Sequence, residues 1–398
     1  MNSFWLISLS GFFVLAGYNF IRSVSVPVFI EMYGKGRLIE SQAVMGLALI
    51  GTLYIYNLML SKLGPKKTLF YTQLFFALFF SLGTLAAVYK IGPIIYGINV
   101  FKEIYIVKIV EQIWSYFNST YHGKKHKLYV GIMTGIASLG PILSGFGASW
   151  ISDHWHPYAL FFLTGAFLLP SLLFMNRVYR HHPVDEVKST KAEKFGIKEF
   201  HRFPILKLLF ILVIFSQVLG TLSMLNFQIN MADQFPDTSK QTAEYGSFYS
   251  YINLYAGIFQ FLAAPFLLKF LAPGYLLLFV IVANCALQYF AYLNPSFQLI
   301  MYTALFFKSL DYSVFRCVKE TFYESLTYDA RFRSKQLIDV FGYRMAGSLF
   351  NTLLGVIKVS IPAIEQFLPI MGVSTATGWL LSFAFLARPF GLLKKGKP

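Results

Sequence analysis

Runs of apolar residues alternate along the chain with short polar links. A helix of about 20 apolar residues crosses the hydrocarbon core of a bilayer. We therefore predict an all-α integral membrane protein with about twelve transmembrane helices. The predicted spans are 4–21, 42–61, 68–89, 94–118, 128–150, 157–176, 205–230, 245–268, 274–293, 296–323, 335–357 and 364–388.

Lysine and arginine residues collect in every second link between the spans. The intervening links contain few basic residues and several acidic ones. Because basic links stay on the cytoplasmic side, we expect both termini in the cytoplasm and a multi-pass protein of the plasma (inner) membrane. Outside the central link, the basic positions on the expected cytoplasmic side are Lys62, Lys66, Lys67, Lys124, Lys125, Lys127, Lys269, Arg331, Arg333, Lys394, Lys395 and Lys397.

The longest polar link, residues 177–204, separates six predicted spans from six. We expect a cytoplasmic linker here, between an N-terminal half (1–176) and a C-terminal half (205–398). A shift of 208 positions places Lys108 on Arg316 and Trp114 on Phe322, so the fourth span of one half matches the fourth span of the other. Two six-helix halves related in this way form the major facilitator fold, which we therefore predict.

Composition supports the membrane assignment and changes the meaning of the charge. Of the 398 residues, 56% are hydrophobic and only 13% are charged, against about 25% charged in soluble proteins. The net charge of +16 would favour a nucleic-acid partner in a soluble protein, but here most of it marks the cytoplasmic links, so we expect no such partner. Cys285 and Cys317 lie in apolar stretches, which argues against a disulfide framework.

Several charged residues fall inside the predicted spans, where a charge that faces lipid costs at least about 2.5 kcal/mol. Such groups therefore face a cavity or pair with one another. At about 100° per residue, they form polar faces on the fourth and tenth spans. The members are Lys108, Glu111, Gln112, Ser115, Asn118 and Ser119, and then Lys308, Tyr312, Arg316, Lys319, Glu320 and Tyr323 with Asp311 to one side. Span eleven adds Lys335, Asp339, Tyr343 and Arg344, and Arg22 ends span one.

The charged positions selected in spans four, ten and eleven are six basic and four acidic residues. In one interpretation they form structural ion pairs, such as Lys108 with Glu111 one turn later. The positive excess favours a second interpretation, a site for a phosphorylated or polycarboxylate anion. The interleaved carboxylates would keep the empty site near neutrality or carry a coupling proton.

Other kinds of chemistry find little support in the sequence. The phosphate-binding loop of ATPases is absent, so the energy for transport should come from gradients. The seven histidines lie off the polar faces, and we expect no metal, no cofactor and no enzymatic activity. Tyr251 and Tyr255 belong to an aromatic face of the eighth span, which is typical of helix packing and also offers a stacking surface for a base.

Four motifs point to one family. They are the basic run from Lys62 to Tyr71, Glu111-Gln112-Ile113-Trp114 in span four, Lys319-Glu320 in span ten, and Lys335-Gln336-Leu337-Ile338-Asp339-Val340 opening span eleven. In order and spacing these motifs resemble the ATP/ADP translocases, the nucleotide transporter family of plastids and obligate intracellular bacteria. The first motif is also similar to the loop after span two of major facilitators in general.

The resemblance implies a twelve-span exchanger that moves nucleotides, commonly ATP against ADP, by alternating access. The matching positions imply that Glu111, Lys319, Glu320 and Lys335 serve transport, with Asp339 beside them. Two segments depart from the family pattern. After Arg22, the run Ser23-Val24-Ser25-Val26 replaces a charged segment that includes a transport lysine, and Arg316-Cys317 replaces an Asp-Pro pair. One cation is thus lost from span one and one is gained in span ten.

We therefore expect a monomeric secondary transporter in a bacterial inner membrane. The expected partners of this transporter are the lipid bilayer and a small anionic solute, for which a nucleotide is the favoured candidate. The expected substrate-binding residues are Lys319, Lys335, Arg316, Arg22, Glu111 and Glu320; those for coupling or gating are Glu111, Glu320, Asp339 and Lys108; and those for base stacking are Tyr251 and Tyr255. One alternative is a proton-coupled transporter of another small solute, with Glu111, Glu320 or Asp339 as proton carrier. The other is a membrane accessory protein that does not transport.

Overall fold

The computed structural model describes residues 3–121, 123–181, 203–324 and 338–387, and every regular element among them is helical. This confirms the predicted all-α class. The helices are α1 (Ser3–Tyr33), α2 (38–63), α3 (65–88), α4 (Gly92–Thr120), α5 (Gly123–His154), α6 (Ala159–His181), α7 (Pro204–Gln234), α8 (Thr238–Phe270), α9 (Pro273–Leu293), α10 (297–324), α11 (338–360) and α12 (364–387).

Helices α2 and α3 are the two parts of one continuous stretch, Leu38–Val88, which is interrupted at Gly64. The φ of 72° and ψ of 169° at Gly64 lie in a region that glycine adopts without steric strain. Pro65 follows and cannot donate a backbone hydrogen bond. A single helix of 51 residues would be far longer than a bilayer is thick, so the break creates two spans, close to the predicted link between residues 61 and 68.

Helix α1 is longer than the sequence predicts. It continues to Tyr33 instead of ending at residue 21. The extension is stabilised by the burial of Val24 and Val28, and the buried hydroxyl of Ser23 is satisfied by donating to the carbonyl of Asn19 at 2.7 Å. Arg22 therefore lies inside a helix, which corrects the expectation that it ends the first span.

Eight helices of the described residues are long and apolar enough to cross a membrane on length and composition alone, when α2 and α3 are counted as one. The helices outside this group are α4, α10 and α11. In each of the three, charged residues interrupt the apolar sequence. These are the three spans for which the sequence predicts charged positions.

The chain forms two compact units. Unit 1 comprises Met1–Lys191 and Phe235–Asn253, and unit 2 comprises Ala192–Gln234 and Leu254–Pro398. The first half of α8 thus belongs to unit 1 and its second half to unit 2. The division of the sequence into halves 1–176 and 205–398 stays a prediction.

Each unit has its own helix packing. In unit 1, α1 packs against α4, α5 and α6, and α3 packs against α6. In unit 2, α7 packs against α10, α11 and α12 around a core that includes the buried side chains of Phe307, Phe315 and Trp379. These two cores fix the directions of the polar side chains described below.

Three helices contain a wide π turn, in which each backbone hydrogen bond spans one residue more than in an α-helix. The π turns are Phe259–Ala263 in α8, Asp311–Phe315 in α10 and Ile338–Met345 in α11, all in unit 2. Turns of this kind are rare and occur frequently at functional sites. In α10 the π turn ends four residues before Lys319, so it sets the direction of Asp311 relative to that lysine.

Candidate functional site

Lys319 is a buried cation in unit 2, with an exposure of 5%. Its Nζ lies 4.3 Å from the centre of the Tyr343 ring on α11 and 5.9 Å from the centre of the Tyr323 ring. A tyrosine face attracts a cation by about 0.5–2 kcal/mol, with the larger value where water is excluded. Lys319 also borders a cavity of about 10 Å³, which is too small for a solute.

Asp311 is a buried carboxylate in the same unit, with an exposure of 4%. Three neutral groups donate to its Oδ1: Ser216 Oγ at 3.1 Å, Gln217 Nε2 at 3.4 Å and Tyr343 OH at 3.3 Å. These distances are long because three donors share one oxygen that has two lone pairs. Within the described ranges, no lysine or arginine forms an ion pair with Asp311.

Tyr343 therefore joins the two buried charged groups described in this unit. Its hydroxyl contacts Asp311 on one side, and its ring faces Lys319 on the other. The sequence analysis placed all three residues in spans ten and eleven but gave neither Asp311 nor Tyr343 a role. Periodicity shows the face of a helix on which a residue lies, whereas the contact between α10 and α11 requires the fold.

The other predicted residues of these spans have different environments. Arg316 is exposed and Glu320 is half-buried. Lys308 Nζ lies 5.6 Å from the centre of the Tyr312 ring. Lys335 lies outside the described residues, and for Asp339 and Arg344 the structure describes the helical backbone but not the side chain. The roles assigned to these positions stay predictions.

Arg22 is the centre of a polar cluster in unit 1, with an exposure of 7%. Its Cζ lies 3.6 Å from the centre of the Tyr249 ring on α8 and 4.9 Å from the centre of the Tyr18 ring on α1. The shorter distance is that of a guanidinium stacked on a ring face, a contact that arginine favours. The hydroxyl of Tyr18 donates to Glu103 Oε2 on α4 at 2.5 Å. Three helices of unit 1 thus meet at Arg22.

Helix α4 presents charges in several directions. Lys108 is buried, and its Nζ lies 4.7 Å from the centre of the Tyr56 ring on α2, while Glu111 is half-buried. Lys102 lies on another face, because the six residues from Lys102 to Lys108 turn an α-helix through about 600°, or 240° after full turns are removed. Glu103 follows in the chain and points in a further direction. Neither member of this pair was selected from the sequence, where the polar face was drawn through Lys108. Counting the pair gives seven basic and five acidic positions and leaves the positive excess unchanged.

Sequence analysis also missed Tyr249. It selected the face of α8 that contains Tyr251 and Tyr255, which are 42% and 39% exposed. Tyr251 packs edge-on against Phe146 of α5, with ring centres 5.5 Å apart, and base stacking at these two tyrosines stays a prediction. A different repeat, Tyr245 and Tyr249 with Asn253 at intervals of four, is the signal that identifies the face toward Arg22.

Helices α5 and α8 approach each other very closely in unit 1. A Cβ atom added at Gly246 would lie 2.6 Å from the carbonyl oxygen of Gly145. Two serine contacts accompany this approach: Ser247 Oγ donates to Ser149 Oγ at 3.1 Å, and Ser250 Oγ donates to the carbonyl of Ile142 at 2.8 Å. Small residues permit such close helix packing inside membranes. We refer to these residues as the α5–α8 contact.

A carboxylate at the end of α1 joins two loops of unit 1. Tyr158 OH donates to Glu31 Oε1 at 3.0 Å, and Thr238 Oγ1 donates to Glu31 Oε2 at 2.9 Å. Burial and the nearby Glu31 carboxylate raise the pKa of Tyr158, which lies between α5 and α6, to about 12. The phenol therefore keeps its proton and remains a donor at physiological pH.

Comparison with known proteins gives a family and a fold. The family model described as Major Facilitator Superfamily matches residues 113–315, slightly more than half of the chain. No curated protein matches the chain in sequence. A mutant of the nucleoside transporter NupG has a similar structure, with a TM-score of 0.70, 15% identity, and coverage of 99% of this chain and 100% of that chain.

Two further solved structures are similar over nearly the whole chain. A bacterial homologue of the iron transporter ferroportin, in an inward-facing state, has a TM-score of 0.70 and 12% identity, covering 96% of this chain and 98% of that one. An autoinhibited POT family peptide transporter has a TM-score of 0.64 and 12% identity, covering 100% of this chain and 99% of that one. At these identities the similarity confirms the predicted fold and leaves the solute open.

Proposed function

Because the chain belongs to the Major Facilitator Superfamily, we propose that it exchanges nucleotides, or related phosphorylated anions, by alternating access. Membership makes the chain a multi-pass membrane protein and a secondary transporter rather than an enzyme. The class of solute has to be inferred from the chain's own residues, because members of the family carry very different molecules: the titles of similar structures name nucleosides, iron and peptides.

The observation that carries the proposal is the sign of the buried charge. Five charged side chains are buried in the described ranges, and four of them are cations: Arg22, Lys102, Lys108 and Lys319, against Asp311. A charge inside the membrane region is costly unless it is compensated. An excess of three positive charges suits a solute that carries several negative charges, as a nucleotide does.

We assign phosphate binding to the buried cations Lys319 and Arg22. The ammonium of lysine acts as a compact point charge, whereas the guanidinium of arginine can bind two phosphate oxygens in its plane. Arg316 and Lys335 assist. Glu111 and Glu320 balance the charge of the empty protein and gate the change between its two states, with Lys108 and Asp339 as further coupling groups.

Two likenesses support a nucleotide over other anions. The motifs at Glu111, at Lys319-Glu320 and at Lys335 resemble those of the ATP/ADP translocases, and the structurally similar NupG is a nucleoside transporter. A nucleoside is a nucleotide without its phosphates. The buried cations would therefore bind the phosphates, which a nucleoside lacks.

A second candidate function is proton-coupled transport of another small solute, and Asp311 is the observation that favours it. Its three partners are neutral, and the hydroxyls of Ser216 and Tyr343 can both donate and accept hydrogen bonds. The site therefore tolerates a charged and a protonated carboxyl group. In this alternative Asp311 joins Glu111, Glu320 and Asp339 as a possible proton carrier.

Uptake into reconstituted vesicles tests both candidates. Exchange predicts that labelled ATP or ADP enters only vesicles loaded with unlabelled nucleotide, and that a proton uncoupler has no effect. The variant Lys319→Ala loses one charged hydrogen-bonding group and should therefore take up nucleotide at least about tenfold more slowly than the parent. Lys319→Arg keeps the charge and should retain part of the uptake. The matched control is Lys269→Ala, at an exposed lysine at the end of α8.

Two results would contradict nucleotide exchange, and a third would contradict the role of Lys319. Collapse of uptake with the uncoupler favours the proton-coupled alternative. Uptake of labelled adenosine without uptake of ATP or ADP makes the solute a nucleoside. Equal uptake by the parent and by Lys319→Ala removes Lys319 from the binding site.

A further inference from the structure

Lys102 is a buried ammonium that the proposed function does not use. It lies on α4 with an exposure of 7%. Its Nζ donates to the carbonyl of Asn99 at 2.9 Å and also to the side-chain oxygen of Asn99. Asn99 in turn donates to Ser41 Oγ on α2 at 3.0 Å, which fixes the amide. An ammonium has three N–H donors, so one N–H group of Lys102 remains after these two hydrogen bonds.

No carboxylate neutralises Lys102 within the part of the chain that the structure describes. Glu103 is its neighbour in sequence, but adjacent residues of a helix point in different directions, and the carboxylate of Glu103 accepts a hydrogen bond from Tyr18. The charged groups close enough to act on Lys102 are Glu103 and Arg22. The cluster thus contains two buried cations and one half-buried carboxylate.

The two cations present complementary donors. Arg22 stacks on Tyr249 at 3.6 Å, which covers a face of the guanidinium. Guanidinium N–H groups lie in the plane of the group, so stacking directs hydrogen bonding to the edge. Lys102 adds a point charge held in place by Asn99. A planar fork next to a fixed ammonium suits an oxyanion with several oxygens.

We propose that Arg22 and Lys102 form an oxyanion site in unit 1, and that this site binds a phosphate group of the transported anion. The inference rests on the proposed function for the identity of the solute, but the site itself recognises phosphate and not a base.

A structural role for Lys102 makes a different prediction. If Asn99 holds Lys102 only to cap polar groups between α2 and α4, the positive charge has no function, and a neutral side chain of similar length should bind anions equally well. Lys102→Met tests this difference, because it keeps the aliphatic stem and removes the ammonium. Lys102→Arg keeps the charge and serves as the conservative variant.

The experiment measures anion binding to the purified full-length protein in detergent, through its thermal stabilisation by inorganic pyrophosphate and by ATP. We expect Lys102→Met to weaken both affinities by about 10- to 100-fold, the effect of losing one charge-assisted hydrogen bond, and Lys102→Arg to stay within about threefold of the parent. Lys90→Met, at an exposed lysine between α3 and α4, is the control and should bind like the parent.

The outcomes separate this inference from the proposed function. Stabilisation by ATP that is unchanged in a folded Lys102→Met protein overturns the site and leaves nucleotide transport standing. Stabilisation by pyrophosphate but not by any nucleotide, with loss in Lys102→Met, supports the site and overturns the nucleotide. A parent protein that binds neither anion overturns the site. If Lys102→Met does not fold, Lys102→Gln, which retains a donor for Asn99, decides by the same criteria.

Discussion

The α5–α8 contact provides a test of the proposed alternating access, through Gly246→Ala. The new Cβ atom would lie 2.6 Å from the oxygen of Gly145, 2.8 Å from the backbone nitrogen of Ser149 and 3.1 Å from Cβ of Ala148. Two of these atoms are backbone atoms, which cannot turn aside as a flexible side chain does. The helices must therefore separate, by roughly 0.5–1 Å for ordinary van der Waals distances.

Separation weakens the contact in two ways. Overpacking a close interface costs about 1–3 kcal/mol. The hydrogen bonds of Ser247 to Ser149 and of Ser250 to the carbonyl of Ile142, 3.1 and 2.8 Å long, contribute about 0.5–1.5 kcal/mol each. A net loss of about 2 kcal/mol shifts the equilibrium between the closed and open contact roughly 30-fold toward open.

Disulfide cross-linking measures this shift. In a background in which both native cysteines are replaced, Ser149→Cys with Ser247→Cys should form a disulfide under mild oxidation, because the two hydroxyl oxygens are only 3.1 Å apart. The cross-link should stop transport, and a reducing agent should restore it. Adding Gly246→Ala should slow cross-linking at least about tenfold, in line with the weaker contact.

The control for this prediction is Gly257→Ala on the same helix, since a Cβ atom there has no neighbour within 4 Å. It should cross-link at the rate of the parent. The reasoning is refuted if Gly246→Ala cross-links as fast as Gly257→Ala, or if the cross-linked protein transports at the full rate.

Three further predictions concern aromatic contacts. If Asp311 acts on Lys319 through the Tyr343 hydroxyl, Asp311→Asn and Tyr343→Phe should each raise the KM for solute by about 2- to 30-fold. The double variant should then have a KM no higher than that of the stronger single variant, and additive effects in this double-mutant cycle would contradict the coupling. Tyr56→Leu should lower the stability of the protein by roughly 0.5–2 kcal/mol, the contribution of the contact between Tyr56 and the ammonium of Lys108. Tyr56→Phe keeps the ring and should lose little stability, and equal losses in the two variants would disprove a cation–π role. Tyr158→Phe should lower the free energy of unfolding by about 0.5–1.5 kcal/mol. Because the pKa of Tyr158 in the folded protein is raised from 10.0 to about 12, this loss of stability should be constant below pH 10 and disappear as the pH rises through 12. A loss of stability that grows with pH would contradict the prediction.

Hydropathy predicted the fold well because membrane spans must bury every backbone group and expose apolar side chains to lipid. The predicted spans agree with the helices of the described residues to within a few positions in most cases. Helix α1 is the clearest exception. Its sequence beyond residue 21 contains serines, an arginine and Pro27, which lower the hydropathy, while its neighbours in unit 1 supply the contacts that keep it helical.

The candidate site could be predicted only in part. Lys319, Lys108 and Arg22 were found because a charge in an apolar helix stands out in any sequence. Tyr249 was not selected and Tyr343 was given no role, because tyrosines are common in membrane helices and their significance depends on which cation lies opposite. That information is tertiary: the rings of Tyr249 on α8 and Tyr343 on α11 meet their cations across a helix interface.

The π turns distinguish unit 2 from unit 1. All three lie in unit 2, and no described residue of unit 1 belongs to one. A π turn can move along a helix by one residue while both helix ends stay in place, and each such step rotates the residues that it passes by about 100°. Lys319 lies four residues beyond the π turn of α10, so a short migration of that turn would swing its ammonium away from the Tyr343 ring. A local change in the winding of α10 would thus reorient the buried ammonium of Lys319 while the ends of the helix stay in place.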